Sequence, residues 1–448
     1  MKRSSNVFIR LSGVSLSAIC LALAIGTHAQ AQGVWVTKAP VPTARSGAAT
    51  GVIDGKLYVA AGSPLNALEV YDPVSNSWST KTPIPTTNLG AASGGVIDGK
   101  LYVVGGCLNG DCRAGVTNLL QVYDPVADTW TTKASMPTAR FGMATGVIAG
   151  KLYVAGGSTN CGPCLGITTL EVYDPVTDAW TTKASMSTGR EQFDGAVING
   201  KLYVMGGSSG NVTAFASLEV YDPVTDTWST KASMATPRFS LGAGAVNDIL
   251  YAVSGYDPAT NTFLNTVEAY NPATDTWTTV APIPNVHYGS KPQGINGVLY
   301  VTGSGAAALS SLNDAFIVTQ PPVCSTAYAN PASLWTPKHQ FVPIAILGVT
   351  DPENAPVAIT VIKVRQDEPV LTPGSDITSP DAVIQAGSAS VRAERLDTGN
   401  GRVYHLAFKA DDGQGGTCTG DVTVGVPHSL GKGVIAIDSG PAYDSTIP

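Results

Sequence analysis

Six tryptophans recur along this chain in nearly the same local sequence, and their spacing limits the possible folds more than any other feature. Five of them end a segment that opens with Tyr-Asp-Pro or Tyr-Asn-Pro, such as YDPVTDTW at Tyr221. The intervals between tryptophans range from 43 to 52 residues, and short apolar runs bounded by Gly, Pro or Asp fill them. Such runs are typical of β-strands, and a period near fifty residues predicts a β-propeller with one sheet per repeat. The six are Trp35, Trp78, Trp130, Trp180, Trp228 and Trp277.

The number of strands predicts how the repeats close. Inner units of three strands begin near Arg45, Gly90, Arg140, Arg190, Arg238 and Tyr288. The last unit has no tryptophan strand after it, and the first tryptophan strand, Val34 to Lys38, has no unit before it. We therefore expect an all-β, six-bladed propeller in which the N-terminal strand completes the last blade. Closure of this kind removes the exposed sheet edges that invite aggregation.

The repeat resembles the kelch family from about Val34 to Val318. Its apolar strand KLYVAGG ends in a diglycine, and a spaced Tyr and a spaced Trp follow. Blades one, five and six depart from the diglycine with Ala61-Gly62, Ser254-Gly255 and Gly303-Ser304. We interpret the repeated Tyr and Trp as apolar fillers between neighbouring sheets and not as a ligand site.

The regions that flank the repeats have different compositions. Residues 1–31 have a basic start, an apolar stretch and an Ala-Gln-Ala site, as in a cleaved signal peptide. Residues 32–320 are the expected propeller, and 321–428 contain alternating strands that predict a small antiparallel β-sandwich. Phrases such as VYHLAFKADDGQGG in this region resemble immunoglobulin-like accessory domains of secreted bacterial proteins. We expect a loosely ordered tail over 429–448.

Charge and cysteine content both fit an exported protein. Without residues 1–31 the formal charge changes from −7 to −10, which argues against nucleic acid as a partner. Six cysteines remain, an even number that suits an oxidising compartment. The simplest pairing is Cys107–Cys112, Cys161–Cys164 and Cys324–Cys418. We expect a secreted, periplasmic or cell-surface protein without an integral membrane span after cleavage of the signal peptide.

The loops that follow the second strand of each repeat vary in length, and they share one face with the start of the first strand. Variable loops on a rigid scaffold are where binding residues usually lie. Arginines stand at the start of the first strand in four repeats, and Asn88 and His287 hold nearly the same place in the other two. The four arginines are Arg45, Arg140, Arg190 and Arg238.

Kelch domains that capture acidic peptides place arginines at this position. The resemblance therefore implies a ring of Arg45, Asn88, Arg140, Arg190, Arg238 and His287 that binds an anionic protein segment or an acidic glycan. The alternative is structural: the arginines bond to strand-end carbonyls or to acids such as Glu191 and Asp194. Duplication of the repeat would copy such a residue in either case.

Signals for catalysis and for metals are weak. Gly206 to Gly210 fits G-x-S-x-G in letters, but no helix follows it. Cys161-Gly-Pro-Cys164 fits a thioredoxin motif in letters but lies in a loop, which favours a structural disulfide. His287, His339, His405 and His428 have no metal-ligand spacing, and nothing supplies the tyrosine–cysteine crosslink of kelch-type copper oxidases. We expect no cofactor; Asp411 and Asp412 are a weak candidate for calcium, and a solvated turn is the favoured interpretation.

Two functional hypotheses follow. The favoured one is an exported binding or scaffold protein that uses the arginine-bearing face for a protein or glycan ligand. The alternative is an exported enzyme of the mutarotase type, since some bacterial six-bladed kelch proteins interconvert the anomers of acidic sugars. That activity would use Glu191 and Arg190.

Overall fold

The computed structural model describes residues 32–110, 112–113, 115–162, 164–210, 213–303, 310–335, 339–369, 379–394, 400–413, 416–429 and 435–446. Over these residues the fold is built from β-strands, with one short 3-10 helix at Leu108–Gly110 and no α-helix. The expected signal peptide lies outside the described residues. Within the described part of the chain, no helix is long and apolar enough to cross a membrane.

Twenty-eight strands lie in the repeat region. They are β1 (Gln32–Thr37), β2 (Ala49–Ile53), β3 (Lys56–Ala60), β4 (Leu68–Asp72), β5 (Ser77–Lys81), β6 (Ser93–Ile97), β7 (Lys100–Val104), β8 (Leu120–Asp124), β9 (Thr129–Lys133), β10 (Ala144–Ile148), β11 (Lys151–Ala155), β12 (Leu170–Asp174), β13 (Ala179–Lys183), β14 (Asp194–Ile198), β15 (Lys201–Met205), β16 (Ser208–Ser209), β17 (Thr213–Ala214), β18 (Leu218–Asp222), β19 (Thr227–Lys231), β20 (Gly242–Val246), β21 (Ile249–Val253), β22 (Tyr256–Asp257), β23 (Thr262–Phe263), β24 (Val267–Asn271), β25 (Thr276–Val280), β26 (Gln293–Ile295), β27 (Val298–Thr302) and β28 (Asn313–Thr319).

These strands form six antiparallel four-stranded sheets. We name them sheets one to six: β2-β3-β4-β5, β6-β7-β8-β9, β10-β11-β12-β13, β14-β15-β18-β19, β20-β21-β24-β25 and β26-β27-β28-β1. The first strands of consecutive sheets contact one another, and β26 of sheet six also contacts β2 of sheet one. A cavity, here called the axial cavity, lies between these first strands and is lined mainly by small residues such as Gly94, Thr145 and Gly195.

The repeated aromatic residues connect neighbouring sheets. Tyr123 packs on Trp130 in sheet two with a centroid separation of 5.2 Å, and the Trp130 Nε1 donates to Thr82 O of the preceding repeat at 2.8 Å. Asp128 in the intervening turn accepts a hydrogen bond from Thr82 N and one from the Tyr123 hydroxyl. The equivalent tryptophans in the other sheets make the same donation. The aromatic motif is therefore structural, as the sequence predicts.

The backbone conformation after the second strand requires a glycine. Gly106 has φ +109°, and its N–H donates to Arg140 O in the next sheet at 2.9 Å. A Cβ at Gly106 would lie 2.7 Å from Gly90 O, so a side chain does not fit. Gly62, Gly157 and Gly207 make the matching bonds, to Leu89 O, Arg190 O and Arg238 O.

The N-terminal strand lies in the last sheet. β1 pairs antiparallel with β28 from Gln32↔Thr319 to Thr37↔Asp314. Trp35 packs on Phe316 at 5.0 Å, where the other sheets have a Tyr–Trp pair, and its Nε1 donates to Ala281 O. Strands from the two ends of the repeat region thus share sheet six.

The remaining eight strands form two more sheets. They are β29 (Tyr328–Asn330), β30 (Phe341–Leu347), β31 (Ala358–Gln366), β32 (Ala382–Gln385), β33 (Ser388–Arg392), β34 (Arg402–Asp411), β35 (Thr417–Val426) and β36 (Tyr443–Asp444). The sheet orders are β29-β30-β33-β32 and β35-β34-β31-β36. Side chains from both sheets share one apolar core, including Ile344, Val391, Leu406 and Phe408.

Within the segment 429–448, for which we expect a loosely ordered tail, the described residues 442–445 bond to the C-terminal sheets. β36 pairs with β31, and Ser445 is buried with its backbone bonded to Val364, Asp381 and Ala382. The His405 Nε2 lies 3.0 Å from an Asp438 oxygen and adds a polar contact. Sequence composition missed these contacts because they join positions far apart in the chain.

Candidate functional site

The four repeated arginines are buried inside the sheets. Each has no exposed surface and pairs with a glutamate on the third strand of its own sheet. Arg140 Nη2 donates to Glu171 at 2.9 Å and to Val154 O at 3.0 Å, and Nη1 donates to the carbonyls of Gly156 and Thr169. Burial lowers the pKa of Arg140 to about 10, and the Glu171 charge opposes that shift. The other three pairs are Arg45–Glu69, Arg190–Glu219 and Arg238–Glu268.

The two remaining sheets replace both members of this pair together. In sheet six His287 takes the arginine position, and its Nε2 lies 3.0 Å from Asp314 while Nδ1 lies 2.8 Å from Gly303 O. In sheet two the carbonyl that accepts from Gly62 belongs to Leu89, so Leu89 occupies the arginine position, and Gln121 replaces the glutamate. Both positions are uncharged in this sheet, whereas both are charged in the four sheets that carry arginine. This matched exchange indicates that the arginines compensate a buried acid.

The expectation of an exposed ring that binds an anion is therefore wrong for these side chains. Arg45, Arg140, Arg190, Arg238 and His287 satisfy the structural alternative, although the acids that partner them are mainly glutamates of the third strands. Asn88 stands one residue before the arginine position and accepts a hydrogen bond from Ser63 Oγ at 3.4 Å.

The residues just after the arginine position surround a depression on the loop face. At the second residue after that position the backbone has positive φ in every sheet: Gly47, Ala91, Gly142, Gln192, Ser240 and Gly289. Backbone hydrogen bonds connect five of them in series, from Gly289 N to Ser240 O, Ser240 N to Gln192 O, Gln192 N to Gly142 O and Gly142 N to Ala91 O. The depression that they frame has a volume of about 280 Å³. We call it the central depression.

A charged pair joins the floor of the central depression to the axial cavity. Lys291 Nζ lies 2.8 Å from Asp194 Oδ1 and donates to Met143 O at 3.1 Å. Asp194 is 3% exposed, and its second oxygen accepts from Ala243 N. Burial raises the pKa of Asp194, and the Lys291 charge opposes that shift. Lys291 is the one charged side chain among the described residues that line the depression.

Aromatic side chains extend from the depression to the loop surface. Tyr288 lines the depression, and its ring packs on Phe263 at 5.6 Å. Phe263 packs on Tyr256, which packs on Phe239. Phe263 is 41% exposed, so this aromatic series reaches solvent beside the depression.

Glu191, the residue proposed for an enzyme site, lies under the rim without exposed surface. Ser208 Oγ donates to its Oε1 at 3.3 Å, whereas Oε2 has no hydrogen-bond partner among the described residues. Burial raises the pKa of Glu191 to about 7. Its neighbour Arg190 is committed to Glu219 and to the carbonyls of Gly206 and Ser217. Neither group is open to a sugar in this structure.

Two of the three expected cysteine pairs are disulfides. Cys107–Cys112 and Cys324–Cys418 are bonded. Cys161 and Cys164 are thiols instead, joined by a hydrogen bond, and burial raises the pKa of Cys161 to about 12. The Cys107–Cys112 disulfide and Cys161 both line the central depression.

The candidate calcium site has the contacts of a turn. Asp411 accepts from Gly413 N at 2.9 Å and lies 3.3 Å from Lys409 Nζ, and Asp412 accepts from Gly416 N. In the described ranges no cluster of three acidic, histidine or cysteine side chains is arranged to hold a metal ion.

Known proteins identify the repeat. The chain matches the KLHDC2/KLHL20/DRC7 kelch-repeats domain over residues 22–193 and 93–303, which together cover more than half of it. The chain belongs to the kelch-repeat family. It is 36% identical over 131 residues to the F-box/kelch-repeat protein At1g67480 of Arabidopsis thaliana, covering 27% of this chain and 34% of that protein. It is 39% identical over 59 residues to the Kelch repeat and BTB domain-containing protein 1 of camelpox virus, covering 13% and 10%.

A second Arabidopsis thaliana protein, F-box/kelch-repeat protein At1g22040, is 35% identical over 100 residues, covering 21% of this chain and 20% of its own. This kelch chain therefore spans between 10% and 34% of the length of these relatives. A solved structure titled "Structure of YjhT" superposes with a TM-score of 0.56 at 17% identity, covering 62% of this chain and 95% of that one. At this identity the likeness concerns the fold.

Sequence reasoning missed the residues that frame the depression. Positive φ, contact across the axis and burial are not visible in the letters. One signal was available: each repeat with an arginine has glutamate in its LEVYD or VEAYN strand, whereas the LQVYD strand follows Leu89. The paired change would have placed the arginines inside the sheets.

Proposed function

We propose that this kelch-repeat chain is an exported binding protein that holds a protein partner at the central depression and the aromatic loop surface beside it. In this proposal the six sheets are the blades of a six-bladed propeller closed by β1, and residues 321–428 are an immunoglobulin-like accessory domain. The contacts of β26 with β2 and the pairing of β1 with β28 support the closed arrangement. The signal-like N-terminus and the two disulfides support export.

The observation that carries the binding role is the exposed aromatic surface next to a preformed concave site. Kelch repeats generally mediate binding of proteins. Concave sites with apolar walls and a few polar groups are typical ligand sites, and exposed aromatic residues are enriched at protein interfaces. The sequence predicts an anionic peptide or an acidic glycan as the ligand. We propose a protein partner at the depression instead, because the arginines that would bind an anion are already paired with glutamates. The mutarotase alternative loses its support for the same reason, since Arg190 and Glu191 are both buried.

Photo-crosslinking tests the role. A benzophenone amino acid at Phe263 is expected to give a discrete protein adduct in the intact cell envelope of the native host. The same probe at Val126, which is 95% exposed in a turn at the opposite end of the strands, is the matched control. Adducts of equal yield from both positions, or none from position 263, would contradict a partner on the loop face. Competition by excess unlabelled protein should remove only the adduct from position 263.

A further inference from the structure

The loops that follow the second strands of sheets two and three bring four cysteines into one cluster. Cys107, Cys164 and Phe141 form its buried part. Cys112 and Cys161 are half-buried and pack against that part. Cys107 and Cys112 form a disulfide. Cys161 and Cys164 are thiols joined by a hydrogen bond, so one disulfide and two thiols lie within one set of packed side chains.

The two half-buried cysteines border the same two spaces. Cys112 and Cys161 both line the central depression. They also both line a groove beside it, together with Arg113, Gly115 and Asn160 of the two loops. A disulfide is exchanged by attack of a thiolate on the sulfur that it can reach. Cys161 Sγ is therefore the expected nucleophile, and Cys112 Sγ is the expected target.

The two buried cysteines are anchored through their backbones. Cys107 N donates to Gly90 O at 2.7 Å, and Gly90 N donates to Cys107 O at 3.0 Å. Cys164 O accepts a hydrogen bond from Gly210 N at 2.9 Å. A rearrangement that moves only the half-buried members of the cluster leaves these bonds in place.

We propose, beyond the binding role, that these four cysteines are a thiol–disulfide exchange centre in which one disulfide moves between two loops. The Cys161 thiolate attacks Cys112 Sγ, the bond from Cys112 to Cys107 breaks, and the Cys107 sulfur leaves as a thiolate that takes up a proton. Attack of the Cys164 thiolate on Cys161 Sγ then gives a 161–164 disulfide and releases Cys112 as a thiol. One disulfide and two thiols are present at every stage, so no external oxidant or reductant is consumed.

The first product differs from the starting state in what the disulfide restrains. The Cys107–Cys112 bond closes a short segment within one loop, over a sequence separation of 5 residues. A Cys112–Cys161 bond connects two neighbouring sheets at the wall of the central depression, where both residues lie. The exchange is therefore expected to fix two loops of the depression relative to one another.

The ionisation of Cys161 controls the rate of the first step. Burial raises its pKa to about 12, the hydrogen bond with Cys164 and the Glu191 charge act in the same direction, and the Arg113 charge opposes them. Since only the thiolate attacks, exchange should be slow at neutral pH and should accelerate about tenfold per pH unit between about pH 8 and pH 10. Glu191, with a pKa of about 7, is already ionised across that range.

Non-reducing peptide mapping of the full chain tests the proposal. The protein is incubated at about pH 9 for increasing times, quenched with acid, alkylated and digested. Peptides joined through Cys112 and Cys161 should appear first, and a 161–164 disulfide should follow. Cys324–Cys418 lies outside the cluster and should stay paired. Persistence of Cys107–Cys112 alone would overturn the proposal, and so would equal yields of crosslinks to Cys324 or Cys418, which indicate general scrambling.

Two variants separate the steps. Cys164→Ser removes the second nucleophile, so the Cys112–Cys161 disulfide should accumulate and the 161–164 product should be lost. Cys161→Ser removes the first nucleophile, so the 107–112 disulfide should persist and no crosslink between the loops should form. A crosslink from Cys112 to Cys164 in Cys161→Ser, formed as fast as the product in the unmodified chain, would contradict the assigned nucleophile. The time course of the unmodified chain tests the exchange even where a variant does not fold.

Discussion

The guanidinium of Arg140 has no face turned to solvent, and its fixed partners are Glu171 and main-chain carbonyls. Burying a charge is costly unless it is paired, so removal of one partner leaves the other unpaired in a low-dielectric site. In sheet two the same two positions hold Leu89 and Gln121, neither of which is charged, and Gln121 accepts a hydrogen bond from Thr86.

Arg140→Ala should lower the free energy of unfolding by about 3–5 kcal/mol, because Glu171 would remain buried without its counter-charge. Arg140→Leu with Glu171→Gln, which copies sheet two, should recover most of that loss. Urea unfolding of the two variants checks this. If both variants lose the same free energy of unfolding, Arg140 does not stabilise the protein by neutralising Glu171.

Glu191 predicts a dependence of stability on pH. Its pKa is raised by burial to about 7, above the value near 4.3 that an unfolded chain would have. The folded state therefore binds more protons between these values, and this contribution to stability is lost as pH rises through 7. Glu191→Gln should gain stability relative to the unmodified protein on going from pH 5 to pH 8, by up to about 3 kcal/mol. A difference that is constant between the two pH values would place Glu191 in a solvated site.

At the scale of elements, the loops of sheets two and three bring three cysteines to the depression, and Cys164 is hydrogen-bonded to one of them, Cys161. Cys107–Cys112 is a disulfide, whereas Cys161 and Cys164 are thiols. Alkylation of the unreduced, denatured protein should label Cys161 and Cys164 and leave the other four unlabelled until reduction. Mass spectrometry of the peptides reads the result. A peptide that carries a 161–164 crosslink would restore the pairing expected from the sequence.

The second disulfide joins the segment before β29 to strand β35 in the C-terminal region. Cys324 and Cys418 are 94 residues apart in sequence. In the chain-entropy description, a crosslink over a loop of this length is worth about 4 kcal/mol. Replacing both cysteines by alanine should lower the free energy of unfolding of residues 321–446 by about 4 kcal/mol. The stability of the repeat sheets should change little. Calorimetry that shows one common transition shifted as a whole would indicate that the two regions unfold together.

Local patterns predicted these elements better than they predicted contacts between them. The KLYV and YDP segments gave strands at the expected places because alternation and turn residues are local properties. The glutamate partners lie 24 to 31 residues from their arginines, and burial of both depends on the packed sheet. The thiols of Cys161 and Cys164 and the docking of Ser445 also depend on three-dimensional placement. For these reasons the kelch repeats and their antiparallel strands could be predicted from the sequence, whereas the site could not.

At the scale of the whole molecule, β1 connects the beginning and the end of the repeat region. Deletion of residues 32–39 removes the strand that covers β28 and the packing of Trp35 on Phe316. The exposed edge of β28 should promote association, since unpaired strands template pairing with other chains. Size-exclusion chromatography with light scattering should show oligomers or aggregates. A monomer with an unchanged unfolding midpoint would contradict a closing role for β1.

The central claim is that the arginines belong to the scaffold and that the depression on the loop face binds the partner. The most direct measurement is the yield of the adduct at position 263 in the Arg140→Leu/Glu171→Gln background and in the background of Tyr288→Ala, which removes a ring that lines the depression and packs on residue 263. We predict an unchanged yield in the first and a reduced yield in the second. Loss of the adduct in a folded Arg140→Leu/Glu171→Gln protein, with full yield in Tyr288→Ala, would contradict the claim and return the binding role to the arginines.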